Sequence, residues 1–137
     1  MNYEAKNYEH LLGLPGFSDT LLKNHFTLYA GYVANVNKLF EPRRFGWEWN
    51  GMRLHEFYFE NLSKTPAKLD ETSELFKKIV SEWGSYEAWE KDFKATGMMR
   101  GIGWVILYCD KKTERLFNVW IKEHDAGHLS GCIPLLK

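Results

Sequence analysis

Two histidines carry the first chemical signal in this chain, because each interrupts an apolar stripe at helical spacing. Leu22, His25, Tyr29, Tyr32, Val36 and Leu39 follow at intervals of 3, 4, 3, 4 and 3 residues, and Trp47, Gly51, His55, Tyr58 and Leu62 at 4, 4, 3 and 4. Steps of three and four keep side chains on one face of an α-helix. Both imidazoles are therefore expected on core seams. A buried titratable ring is costly without a partner, which leaves a hydrogen bond inside the core or a metal ion as explanations. Neighbouring helices on a short connection pair antiparallel, so His25 and His55 are expected to face each other. Neither stripe carries a carboxylate, and neutral imidazole is the commonest protein ligand for transition metals. A shared metal site and two separately bonded core histidines stand as alternatives. The other histidines say less: His10 reads as exposed, and His128, between Gly127 and Leu129, as a turn residue. A hydrolytic metal enzyme using His25, His55, His124 and His128 has no H-E-x-x-H or comparable spacing behind it.

The elements that must position these residues can be read in order. Residues 1–17 form an irregular arm whose Tyr3, Tyr8, Leu11, Leu12 and Leu14 can pack on the body. Ser18 supplies an N-cap hydroxyl and Asp19 suits the positive first turn, so a helix is expected from Ser18 to Phe40. Gly31 within it suggests close helix-helix approach, at about 1 kcal/mol relative to alanine. Glu41-Pro42-Arg43-Arg44 breaks that helix, and a second follows from Trp47 to Leu62. Ser63-Lys64-Thr65-Pro66 reads as a linker, which divides the chain into a helical hairpin, 1–64, and a second domain, 65–137. In the second domain Asp70 to Ser73 starts a helix with Leu75, Phe76, Ile79, Val80 and Trp83 as its apolar face, stopped by Gly84. Ser85 caps the next, with Tyr86, Trp89, Phe93 and Thr96 inward. After Gly97 the pattern changes to strands: Trp104 to Cys109, a polar turn, Arg115 to Lys122, and a third from Cys132. Gly101 and Gly103 point to close backbone approach where the first strand begins. The fold class is α+β: an antiparallel helical hairpin, then an α/β domain on a small antiparallel sheet.

Composition excludes several classes. Apolar residues make up 45% and charged residues 26% of the 137, so the chain can bury a core and is not of the disordered type. Eighteen basic residues balance 18 acidic ones with no basic block, which argues against a nucleic-acid footprint. No apolar run has transmembrane length, and the polar start MNYEAKNYEH lacks the regions of a secretory signal. A soluble, cytoplasmic protein is expected. Cys109 and Cys132 form no C-x-x-C motif and read as buried thiols rather than a disulfide.

The order of five segments resembles the iron/manganese superoxide dismutase family: HFTLYAGYVANVNKL (His25 to Leu39), GMRLHEFYFENL (Gly51 to Leu62), WGSYEAWEKDF (Trp83 to Phe93), GIGWVILY (Gly101 to Tyr108) and EHDAGHLSGCIPLL (Glu123 to Leu136). The resemblance implies superoxide dismutation at a mononuclear iron or manganese centre, in a homodimer. It makes His25 and His55 the first two metal ligands. Tyr32 becomes the gateway tyrosine of the substrate funnel, although it lies one residue nearer His25 than in many members, which calls for a helix irregularity or a shifted match. His124 takes the position of a Gln or His that hydrogen-bonds metal-bound solvent and that tyrosine, and Trp104 that of an aromatic wall. The family's remaining ligands, an Asp and a His, follow the I-P-L-L run, whereas this sequence ends at Lys137. The expectation is a C-terminally incomplete chain that by itself is a poor enzyme. An inactive or non-redox relative acting as a binding or structural protein is the alternative.

Overall fold

The computed structural model describes residues 2–38 and 41–136, so Met1, Leu39, Phe40 and Lys137 lie outside the described residues. Four helices and three strands follow a short 3-10 turn: α1 Asp19–Lys38, α2 Pro42–Glu60, α3 Glu74–Trp83, α4 Tyr86–Gly97, β1 Gly103–Asp110, β2 Leu116–Lys122 and β3 Cys132–Leu136. They fall into two compact units, Met1–Pro66 and Ala67–Lys137.

In the first unit α1 and α2 pack side by side. Ser18 Oγ accepts from the Leu21 N–H at 3.1 Å, as an N-cap does. The helix α2 begins five residues before the expected Trp47, because Pro42 opens it instead of breaking it. Proline has no N–H to lose at the first helical position, and both Glu41 carboxylate oxygens accept from the next free amides, Arg43 N at 3.0 Å and Arg44 N at 2.7 Å. Tyr8, Leu11, Leu14, Leu22, Tyr29, Val33, Val36, Met52 and Phe59 form the core, so the irregular arm supplies three of its members. The arm is tied down further: Tyr3 N–H donates to Asn37 Oδ1 and Asn37 Nδ2 donates back to Tyr3 O, both at 2.8 Å.

In the second unit Ser73 and Ser85 cap α3 and α4 through Phe76 N and Ala88 N, and Gly84 ends α3 with φ 84°. The sheet order is β2-β1-β3, antiparallel throughout. The central position of β1 explains its unbroken apolar run, since a strand flanked on both edges and covered on its faces has no side for polar residues. Ile79 and Trp89 of the helices meet Leu107 and Leu116 of the sheet in its core. Two expectations need correction. Leu75 is 42% exposed and leaves the apolar face of α3 to its neighbours, and the free thiols of Cys109 and Cys132 are half-buried rather than buried. Gly101 and Gly103 do mark close approach, for a Cβ on either would collide with Trp120 or with the Ile121 carbonyl. Among the described residues no helix is long and apolar enough to cross a membrane.

Candidate metal centre

The hairpin brings three of the sequence-predicted residues together. The rings of His25 and His55 lie 5.6 Å apart, and that of Tyr32 lies 5.3 Å from His55. Seven residues are almost two turns of an α-helix, and α1 is uninterrupted from Asp19 to Lys38. His25 and Tyr32 thus sit on one stripe of a regular helix, with His55 facing both. Tyr58 packs against His25, Phe59 against His55, and Trp47 edge-on against Tyr32. Close approach of the helices occurs at Gly51, where a Cβ would stand 2.8 Å from the Tyr32 ring. Gly31, the expected position, faces open space.

Hydrogen bonding sets the nitrogens. His55 Nδ1 lies 2.7 Å from the Gly51 carbonyl, which can only accept, so the proton sits on Nδ1 and Nε2 keeps a lone pair. Metal-binding imidazoles are commonly oriented by such a back-side bond. His25 Nδ1 is buried with no hydrogen-bond partner among the described residues, and burial pushes the ring's pKa down, so it is neutral at pH 7. A buried, unpartnered, neutral imidazole nitrogen is poised as a ligand. Two neutral imidazoles are a donor type that suits a first-row metal ion. Among the described residues no group of three or more His, Cys, Asp or Glu side chains is arranged to hold one.

Sequence reasoning missed two carboxylates in this hairpin. Glu48 is 1% and Glu56 5% exposed. Arg44 Nε at 3.0 Å and Asn35 Nδ2 at 3.1 Å hold Glu48. Arg53 at 2.7 Å and the Tyr29 hydroxyl at 3.0 Å hold Glu56. Buried carboxylates survive only with such partners. Both flank the histidine stripe instead of lying on it, and the legible signal was the spacing of Arg44 to Glu48 and Arg53 to Glu56 on α2. Burial, and then the charge of Glu48, push the Tyr32 hydroxyl above its usual pKa, keeping it protonated at neutral pH.

His124 belongs to the second unit, where it is 6% exposed. Glu123 turns the chain out of β2 with φ 53°, its N–H donating to Ile102 O at 2.8 Å. The loop is closed by Lys122 N–H to Ala126 O, also 2.8 Å. Trp104 Nε1 donates to His124 Nδ1 at 3.0 Å, so a neutral His124 carries its own proton on Nε2. His128, read from the sequence as a turn residue, bonds the Tyr108 hydroxyl at 2.6 Å and the His124 carbonyl at 2.8 Å.

A helical hairpin with paired inward imidazoles, followed by helices on a three-stranded antiparallel sheet, defines an α+β protein with a candidate metal pair. A family model described as "Iron/manganese superoxide dismutases, C-terminal domain" matches residues 71–137. Manganese superoxide dismutase 2 of Haloferax volcanii is 33% identical over 156 residues, covering 99% of this chain and 77% of the relative. Manganese superoxide dismutase 1 of the same organism is 33% identical over 98% of the chain and 64% of its own length. The manganese superoxide dismutase of Haloarcula marismortui is 36% identical over 98% of the chain and 63% of its own length. The chain belongs to the iron/manganese superoxide dismutase family, and it spans just under two thirds of two of these relatives.

Proposed function

We propose that this protein dismutates superoxide at a mononuclear iron or manganese centre of which His25 and His55 are two ligands. The observation that carries the reading is their facing pair of rings, with the His55 proton tied to Gly51 O and the His25 Nδ1 left without a hydrogen-bond partner among the described residues. A bound iron or manganese ion would supply the one-electron couple by which one superoxide is oxidised to dioxygen and the next reduced to hydrogen peroxide, with two protons consumed.

The chain's own residues handle those protons. Tyr32, beside His55, keeps its hydroxyl proton because burial and Glu48 disfavour the phenolate, so it serves as a donor rather than a base. His124, whose Nδ1 accepts from Trp104, offers a second donor at Nε2. Equal numbers of basic and acidic residues leave no broad field for a polyanion, which suits a small substrate and no nucleic-acid or membrane partner. A cytoplasmic homodimer completes the reading.

The test is the metal content, native mass and superoxide turnover of the purified chain and two variants. His55→Ala should weaken metal binding more than roughly 100-fold, beyond the loss of an outer hydrogen-bond partner. Tyr32→Phe should retain metal while slowing proton-dependent turnover. A metal-replete His55→Ala protein overturns the ligand assignment, and a native mass of one chain overturns the dimer.

A further inference from the structure

His128 takes no part in the chemistry above, yet both of its ring nitrogens are hydrogen-bonded. Its hydrogen bonds have a determined direction. The His124 carbonyl can only accept, so the bond of 2.8 Å places the His128 proton on Nε2. The neutral ring then presents a lone pair at Nδ1, and the Tyr108 hydroxyl donates to it at 2.6 Å. Tyr108 is a β1 residue, 4% exposed, in register with Phe117 and Pro134 on the neighbouring strands. It is a rigid anchor. Gly127 makes the return possible: its φ of 107° is open to glycine, and a Cβ there would stand 2.9 Å from Trp120 O.

His124 is consequently clamped at two points. Trp104 Nε1, also from β1, holds its ring at Nδ1, and His128 holds its backbone. The two clamps start four residues apart on the central strand, so they share one rigid base.

We propose that His128, anchored on Tyr108, is a positioning residue that keeps the His124 ring against Trp104 and so holds it in the Nε2–H form. This makes His124 a fixed donor at Nε2 and deepens the dismutase reading, on which its functional meaning rests. The arrangement itself can be tested without metal or turnover.

The experiment is two-bond proton-nitrogen correlation spectroscopy on the uniformly 15N-labelled, metal-free full chain at about pH 8, above the usual histidine range. The wild type should show His124 and His128 both protonated at Nε2, and a Trp104 indole N–H protected from solvent exchange. His128→Ala should mix the His124 tautomers and speed Trp104 indole exchange roughly tenfold, about one hydrogen bond's worth. Tyr108→Phe removes only a hydroxyl and should act in the same direction, which covers the case in which His128→Ala does not fold. His128→Gln, with one acceptor and one donor at its tip, should restore protection, as general loosening of the loop would not. Wild-type tautomer and exchange in either folded disrupting variant overturn the proposal. A chain that binds no iron or manganese when offered either and turns over no superoxide, yet shows the clamped His124 in this experiment, would defeat the dismutase reading and leave the clamp standing.

Discussion

The two units secure their candidate imidazoles by opposite means. In the hairpin, His25 and His55 are placed by helix geometry: the rings of Tyr32, Tyr58 and Phe59 pack against the pair, and the bond from His55 to the Gly51 carbonyl lies within its own helix. In the second unit His124 sits in a loop, and two donors fix it: Trp104 from β1, and His128, itself anchored on Tyr108 of β1. Where the backbone is regular, packing suffices to aim a side chain. Where it is not, hydrogen bonds must do so.

That contrast can be broken by core deletions. Leu22, one turn before His25, and Leu107, in β1, are both fully buried. Leu22→Ala and Leu107→Ala should each cost about 2–5 kcal/mol in urea titrations of folded signal. Only Leu22→Ala should also lower metal content, because it loosens the seam that holds the ligand pair. Equal metal loss in both would erase the distinction.

Alkaline pH should sharpen it. Burial pushes the Tyr29 hydroxyl up to about 12, against about 10 in the unfolded chain. As pH rises between these values the unfolded chain has lost its proton while the folded one retains it, so the folded state loses stability progressively. Tyr8, Tyr32 and Tyr58 are shifted up by burial as well, all in the hairpin, whereas Tyr108 is the corresponding group described in the second unit. Hydrogen exchange measured from pH 9 to 12 should therefore show the hairpin amides losing protection more steeply, and Tyr29→Phe should flatten that slope.

The smallest effect is expected at Gly51. Gly51→Ala gains about 1 kcal/mol of helix propensity but places a Cβ 2.8 Å from the Tyr32 ring, an overlap that costs about 1–3 kcal/mol. The net change in urea stability should be small and unfavourable, with displaced Tyr32 ring resonances. Unmoved resonances would mean the helices separate instead.

Helical spacing made much of the hairpin legible. His25, Tyr32 and His55 stand out because a period of three and four survives in the sequence whatever the tertiary context. Glu48 and Glu56 did not, since an acidic residue on a charged helix ordinarily faces water, and only their pairing to Arg44, Arg53 and Tyr29 shows otherwise. The start of α2 was hidden for a related reason: Pro42 reads as a breaker until Glu41 is seen capping the helix. His128 was the hardest to find, because the bond to Tyr108 joins residues 20 apart in sequence and follows no period.

The strand order β2-β1-β3 also has a kinetic meaning. Pairing Cys109 with Leu116 closes a short loop, whereas pairing Asp110 with Cys132 closes one more than three times longer. The difference in closure entropy is about 1 kcal/mol, so the β1–β2 ladder forms first and β3 docks onto it. The segment threaded between those two events is the one that bears His124 and His128. The loop proposed to deliver a proton is thus the last part of this unit to acquire its shape as the chain folds, and pulse-labelled exchange during refolding should show β1–β2 amides protected before those of β3.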